Sequence, residues 1–121
     1  MRRLVSLRLS CNGISRLPRG LGDGLVALED LALDNNDLKE FPEAVLELRG
    51  LRSLWLRQNS IPSVPAAVSR LSRLEVLSLS SNRLEELPRE LGGLGELRQL
   101  LVNGNRLAAV PAEVAGARGP G

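Results

Sequence analysis

The side chains that most often carry out catalysis or bind metals are scarce in this sequence. It has no histidine and a single cysteine, Cys11, which excludes a Ser-His-Asp triad, histidine metal ligands and a cysteine zinc cluster. The glycines of segment 20–24 lack the strand and the Lys-Ser/Thr of a phosphate-binding loop, so a flexible turn is the preferred interpretation. We therefore predict a chain that is not an enzyme and that has no catalytic, cofactor or metal site.

Three aspartates form an acidic strip in the second of the repeats described below. Asp30, Asp34 and Asp37 could contribute to a calcium site, but nothing supplies the six or more oxygen ligands that Ca²⁺ takes. Arg8 and Arg57 lie in the repeats on either side. Because adjacent strands lie ~4.8 Å apart, we expect Asp34 and Arg57 to pair directly. We favour exposed ion pairs, each worth under ~1 kcal/mol, as the role of this strip.

A repeat of 23 or 24 residues organises the whole chain. An asparagine follows a Leu-x-Leu pattern in each unit, an apolar residue comes two positions later, and a second apolar residue follows just before a proline. Five matches at one spacing do not arise by chance, and they predict a solenoid in which each unit contacts its neighbours. The five asparagines are Asn12, Asn36, Asn59, Asn82 and Asn105.

Each repeat is predicted to begin with a short strand, because apolar and polar residues alternate there with a period of two. Stacked repeats would place these strands in a parallel sheet and enclose the leucines. Each inward asparagine should hydrogen-bond backbone groups that the following bend leaves unpaired. On the return path, residues 42–48 favour a short helix. Residues 19–25 favour an irregular turn, because glycine costs about 1 kcal/mol inside a helix.

The pattern sets the domain boundaries. One domain is predicted over 1–115, followed by a disordered Gly/Pro tail at 116–121. No polar cap covers either terminal repeat, which leads us to expect a fragment, a short isoform or the central block of a longer protein, either monomeric or part of a longer chain. The five repeats span about 4–27, 28–50, 51–73, 74–96 and 97–115.

Charge and cysteine usage restrict the partners and the compartment. The net charge is +2 and no basic run is long enough for a nucleic-acid arm. No apolar run reaches the ~18–20 residues of a membrane span. A single cysteine without cysteine-rich caps favours a reducing compartment, so we predict a cytoplasmic protein.

Residues 74–84 match the pattern L-x-x-L-x-L-x-x-N-x-L throughout, and the chain resembles the leucine-rich repeat family over residues 4–114. The 23-residue unit with Leu-Pro is similar to the intracellular subclass of Ras-pathway scaffolds and Scribble-type proteins. The resemblance implies an α/β leucine-rich repeat solenoid, with a parallel sheet on the concave face and short helices or turns on the convex face. It also implies a scaffold that binds a protein partner in intracellular signalling.

In each strand, the positions that alternate with the core leucines should face outward on the concave side. These positions, polar and apolar, should supply the partner-binding residues. Trp55 lies in the middle strand, where Leu54 and Leu56 fix its outward orientation, and tryptophan is enriched at interface hot spots. The alternative is that Trp55 merely covers neighbouring side chains. The predicted partner-binding residues are Trp55, Arg57, Arg8, Asp30, Asp34, Val76, Ser78, Gln99 and Leu101.

The size of this face restricts its function. Five short strands make a flat area on the order of 250 Å², less than the ~800 Å² per partner of a standard interface. Weak binding, a contribution from the loops, or further repeats would resolve the difference. Two other functions stay open: a substrate-recognition fragment of a larger multidomain enzyme, such as a kinase, GTPase or ubiquitin ligase, and a structural spacer.

Overall fold

The computed structural model describes residues 3–108, and in this part of the chain the five predicted strands form one parallel sheet in sequence order. Each strand has three residues, at the centre of the segment that the alternation predicted. Backbone hydrogen bonds continue the pairing beyond the strand ends, as between Leu33 N and Trp55 O at 2.8 Å. The strands are β1 (Ser6–Arg8), β2 (Asp30–Ala32), β3 (Ser53–Trp55), β4 (Val76–Ser78) and β5 (Gln99–Leu101).

The strand register aligns equivalent positions of the repeats. Leu54 of β3 pairs with Leu31 on one side and with Leu77 on the other. These three leucines are fully buried, Leu100 of β5 is 2% exposed, and Leu7 of the first repeat is partly buried. The prediction that leucines fill the space between the sheet and the return segments is therefore confirmed, and the opposite positions of each strand are left facing outward.

The return segments are single helical turns. Three of them are 3₁₀-helices, at Glu43–Glu47, Ala66–Arg70 and Arg89–Gly93. Each follows a proline whose carbonyl accepts the first hydrogen bond of the turn, as Pro42 does from the N–H of Val45 at 3.0 Å. Proline suits this place because it has no N–H to satisfy. A 3₁₀ turn is also the usual form of so short a segment.

The glycine-rich segment of the first repeat departs from the prediction. The irregular turn expected over 19–25 was wrong, because Leu21–Gly24 forms one α-helical turn, α1. A Cβ at Gly22 would approach the carbonyl oxygen of Glu47 to 2.7 Å, so glycine lets the second repeat pack closely here. The Glu47 carboxylate also accepts the N–H of Gly22 at 3.0 Å, which offsets the low helix propensity of the glycines.

A left-handed corner precedes each asparagine. Asn35, Gln58 and Ser81 have φ values of 56°, 56° and 57°, a conformation that side chains other than glycine seldom adopt. The corresponding residues of the terminal repeats, Cys11 and Gly104, are also left-handed. The bend is therefore set by the geometry of the coil, whichever residue occupies this position.

The asparagine ladder is confirmed in the repeats that have a preceding repeat. The Asn82 amide donates to Leu56 O at 2.8 Å and to Leu79 O at 3.0 Å, while its oxygen accepts the N–H of Ile61 at 3.1 Å. Asn36, Asn59 and Asn105 bond in the same way. Asn12 is exposed and donates to Ser10 O at 3.1 Å.

Adjacent repeats carry opposite net charge. Residues 4–27, 28–50, 51–73 and 74–96 have net charges of +2, −5, +4 and −3. The ion pairs found within residues 3–108 each join neighbouring repeats, and Arg52 contacts two carboxylates at once, Glu29 and Glu75, both at 3.8 Å. Electrostatic attraction therefore acts across the repeat boundaries in addition to leucine packing.

Two predictions fall on residues whose structure is not described. The end of the fifth repeat, 109–115, and the Gly/Pro tail, 116–121, lie outside residues 3–108.

Candidate functional site

The concave face is the side of the sheet that the return segments do not cover. The sheet register places the predicted site residues in three adjacent columns on this face, each column running across the repeats. The first column is Ser6, Asp30, Ser53, Val76 and Gln99, and the second is Arg8, Ala32, Trp55, Ser78 and Leu101. The third column contains Asp34 and Arg57, which follow their strands.

Trp55 lies at the centre of this face with its indole fixed in place. Its strand neighbours Leu54 and Leu56 are fully buried, whereas Trp55 itself is half-buried. The indole N–H donates to Asp30 Oδ1 at 2.9 Å, so the ring extends back over the second repeat. Ala32, its register partner there, is only 6% exposed. Trp55 is therefore tied to the second repeat and still leaves part of its side chain exposed to solvent.

Asp30 is the residue that orients this part of the face. Besides the indole, its carboxylate accepts the Ser6 hydroxyl at 2.8 Å and lies 3.4 Å from the Arg8 guanidinium. The Arg8 side chain is 75% exposed, so this ion pair contributes little to stability. The effect of the ion pair is on position, because Ser6 and Arg8 together hold the carboxylate that accepts the indole N–H.

Asp34 and Arg57 are in contact as predicted, but the predicted ion pair between their side chains is wrong. Asp34 Oδ1 accepts the backbone N–H of Arg57 at 2.7 Å, and within residues 3–108 no ion pair joins the two side chains. The backbone group is the nearer donor because the side chains start from adjacent strands, while the Arg57 guanidinium remains exposed. Asp34 thus acts as a backbone bridge between the second and third repeats.

The other predicted contact residues differ in exposure. Gln99 is exposed, and Val76 and Leu101 are half-buried, so all three can touch a partner. Ser78 lies on the predicted face but is only 3% exposed, because its small side chain sits between Trp55 and Leu101 in the register. Ser78 therefore forms the floor of this face, and its role in partner binding stays a prediction.

A pocket of about 340 Å³ opens where that small serine leaves space. Trp55 stands on one side and Leu101 on the other, with Ser78 and Ser80 between them. The Ser80 hydroxyl donates to Asn103 Oδ1, which holds the far side of the floor together. The pocket is lined by Asp34, Trp55, Arg57, Ser78, Ser80, Ser81, Leu101 and Asn103, and we refer to it as the concave pocket.

The predicted partner-binding residues leave out three of these lining residues, Ser80, Ser81 and Asn103. The signal was available, because Ser80 and Asn103 continue the column of Asp34 and Arg57 at the repeat spacing. A second pocket, of about 420 Å³, lies beside the Leu-Pro segments and is lined in part by Arg16, Arg19, Glu40, Glu43 and Phe41. Nothing in the repeat pattern indicated it.

The acidic strip does not form a metal site in the described part of the chain. Within residues 3–108 no group of three or more carboxylate or thiol side chains is placed to hold a metal ion. Asp30 and Asp34 are instead engaged by the indole and by a backbone N–H. Cys11 is an exposed free thiol.

No helix within residues 3–108 has the length and apolar character needed to cross a membrane.

Solved structures that resemble this chain are built of leucine-rich repeats. A leucine-rich repeat protein of Leptospira interrogans superimposes with a TM-score of 0.87 at 34% sequence identity, covering 93% of this chain. A chain of the BIR3–SERK2 complex from Arabidopsis thaliana gives 0.83 at 30% identity, covering 98% of this chain and 69% of that one. The ectodomain of the receptor kinase SOBIR1, from the same plant, gives 0.78 at 28% identity, covering 98% and 71%.

This chain spans 29% of the length of the Leptospira protein chain. A search of curated protein sequences gave no match. The family model described as a leucine-rich repeat region matches residues 1–109. The asparagines that hydrogen-bond to the preceding repeat and the parallel sheet are consistent with this match. The chain belongs to the leucine-rich repeat family.

Proposed function

We propose that the chain is a protein-interaction module that binds a protein partner on its concave face. The observation that carries this proposal is Trp55, a half-exposed indole anchored by Asp30 in the middle strand of an otherwise open sheet face. Leaving a large aromatic ring partly in water forgoes part of its favourable burial. An anchored, partly exposed aromatic at the centre of a face is also the usual form of an interface hot spot.

The family and its solved members support the same role. BIR3 and SERK2 form a protein complex, and a chain of that complex is similar to this one over nearly its whole length. Because the sequence lacks the catalytic groups discussed above, binding is the function that we assign to the concave face. Side chains from Arg8 on the first repeat to Gln99 on the fifth would contribute.

The proposal is tested with Trp55→Ala. The wild-type chain and the variant are immobilised and used to capture proteins from a cell lysate, and the retained proteins are quantified. Losing a central aromatic hot spot costs about 2 kcal/mol or more, so we expect at least one wild-type partner to be reduced more than tenfold, in line with ~1.4 kcal/mol per factor of ten.

Val26→Ala is the matched control, because Val26 is 60% exposed and lies outside the strands. This variant should retain the same proteins as the wild type, and both variants should keep a cooperative thermal melt. If the immobilised wild type, Trp55→Ala and Val26→Ala all retained the same set of proteins, the result would contradict the proposal and favour a structural spacer.

The finer assignment is also proposed: a scaffold or adaptor of intracellular signalling, in the cytoplasm, of the subclass similar to Ras-pathway and Scribble-type repeats. The Leu-Pro unit supports the subclass, and a single cysteine supports a reducing compartment. The chain is proposed to be monomeric or part of a longer polypeptide. Localisation of a tagged chain in cells would test the compartment.

A second candidate is the recognition segment of a larger enzyme. One observation favours it: the similar SOBIR1 structure is the leucine-rich repeat ectodomain of a receptor kinase. A catalytic domain encoded next to residues 1–121 would support this candidate, and neighbouring segments without one would favour the scaffold.

A further inference from the structure

The charged side chains of the concave face lie in its first three repeats and are balanced. Arg8 lies against Asp30 at 3.4 Å, and Asp34 accepts the backbone N–H of Arg57 at 2.7 Å. In the three concave columns the fourth and fifth repeats contribute only uncharged side chains. The concave pocket lies at this transition and contains one carboxylate and one guanidinium, so its net charge is zero.

Two apolar side chains, Trp55 and Leu101, stand on opposite sides of the pocket, far enough apart to admit a side chain, and the rest of the lining is polar or charged. Trp55 and Leu101 occupy the same column on either side of Ser78, so two strand spacings of ~4.8 Å separate their backbones. Ser78 is the small residue between them and is itself buried. The resulting volume of about 340 Å³ is near the lower end of typical ligand pockets, ~300–1,000 Å³.

Hydrogen-bond donors stand at the rim of this pocket. The Ser80 hydroxyl donates to the oxygen of the Asn103 amide, which leaves the amide nitrogen as a donor at the surface. The Arg57 guanidinium is exposed and forms no ion pair within residues 3–108. Backbone carbonyls of an extended peptide are acceptors that such donors can bind.

Deepening the proposed function, we infer that the concave face takes an extended peptide segment without charged side chains, one apolar side chain of which enters the pocket between Trp55 and Leu101. A charged side chain there would lose part of its hydration, which is costly, and would meet one guanidinium and one carboxylate together. Asp34 offsets the attraction of Arg57 for an acidic ligand, and Arg57 offsets the attraction of Asp34 for a basic one. Apolar burial between the indole and the leucine provides the affinity.

The inference is tested by selecting peptides from a random display library on the full chain. We expect the enriched peptides to share an apolar residue and to lack acidic and basic residues beside it. A synthetic copy of the strongest peptide is then titrated against three variants. Leu101→Asp places a charge on the pocket wall and should weaken binding at least tenfold, whereas the same change at exposed Val26 (Val26→Asp) should leave affinity unchanged.

Arg57→Gln separates a neutral ligand from an acidic one, because it removes the charge and keeps donor groups. Because the guanidinium is also a hydrogen-bond donor at the rim, we expect Arg57→Gln to weaken binding of the uncharged peptide, and we expect the affinity of both proteins to change little with salt. Enrichment of acidic peptides that lose binding in Arg57→Gln would overturn the inference. So would peptides that bind Leu101→Asp as well as the wild type, or an absence of any enrichment. The proposed function is judged separately, by the capture experiment with Trp55→Ala.

Discussion

At the scale of single residues, four asparagine side chains join neighbouring repeats by hydrogen bonds. Asn82 is only 8% exposed, and its amide satisfies carbonyls of two repeats while its oxygen accepts an N–H of the repeat before it. Alanine in this place would leave buried backbone groups without partners, which costs about 1–3 kcal/mol for each group. Asn12 has the same place in its repeat but is exposed, with one hydrogen bond to Ser10 O.

This difference yields a matched pair of substitutions. Asn82→Ala should lower the free energy of unfolding by about 3 kcal/mol or more, whereas Asn12→Ala should lower it by less than about 1 kcal/mol. Urea denaturation followed by circular dichroism measures both. Equal losses in the two variants would show that the hydrogen bonds to the preceding repeat are not the source of the effect.

The residue scale is also where prediction from sequence was least complete. The outward position of Trp55 followed from the leucines beside it, but its bond to Asp30 did not, because strand alternation places a side chain on a face and leaves its rotamer open. The contact between Asp34 and Arg57 was expected for the same reason of register, yet a backbone N–H took the place of the guanidinium. Ser78 lies in the column that the register predicted, but its burial depends on the size of the neighbouring side chains, which the register does not give.

At the scale of elements, the repeat pattern predicted the sheet well and the return path less well. Strand positions and register follow from leucine spacing, because a slip of one residue would expose every core leucine. The order of the strands follows because each repeat packs on the next. The return segments depend on contacts between repeats, and α1 shows this, since Glu47 of the second repeat caps a glycine-rich turn of the first.

Two neighbouring residues of β4 test the alternation of the strand. Leu77 is fully buried, so Leu77→Asp should abolish the cooperative thermal melt, because a charge would lie between two repeats. Val76 is half-buried on the concave face, so Val76→Asp should keep the cooperative melt and cost about 1 kcal/mol. A melt of Leu77→Asp close to that of the wild type would refute the inward placement of this leucine.

At the scale of the whole molecule, alternating charge gives the array a preferred stacking order. Neighbouring repeats differ in sign, as +4 in 51–73 lies between −5 in 28–50 and −3 in 74–96. Strands ~4.8 Å apart lie well within the screening length of ~10 Å at 0.1 M salt. A mispaired array that skipped one repeat would bring like charges together, so the alternation opposes that error.

Salt should therefore weaken the fold. Raising NaCl from about 0.02 M to about 0.5 M shortens the screening length severalfold, and we expect the free energy of unfolding to fall by about 1 kcal/mol. Arg52→Gln removes the guanidinium that contacts both Glu29 and Glu75, and the salt dependence of this variant should be smaller. A wild-type chain whose stability is unchanged or rises over this range would contradict attraction between the repeats.

The direction of the asparagine bonds has a consequence for biosynthesis. Asn36 accepts the N–H groups of Asn12 and Ile14, both at 2.9 Å, so the corner of one turn is completed by a side chain translated some two dozen codons later. On a ribosome each emerging coil waits for its successor before its backbone is fully bonded. We therefore expect the coils of the nascent chain to complete their backbone hydrogen bonds in order from the amino end. A pause in translation within one coil would leave the corner of the preceding coil without its asparagine partner.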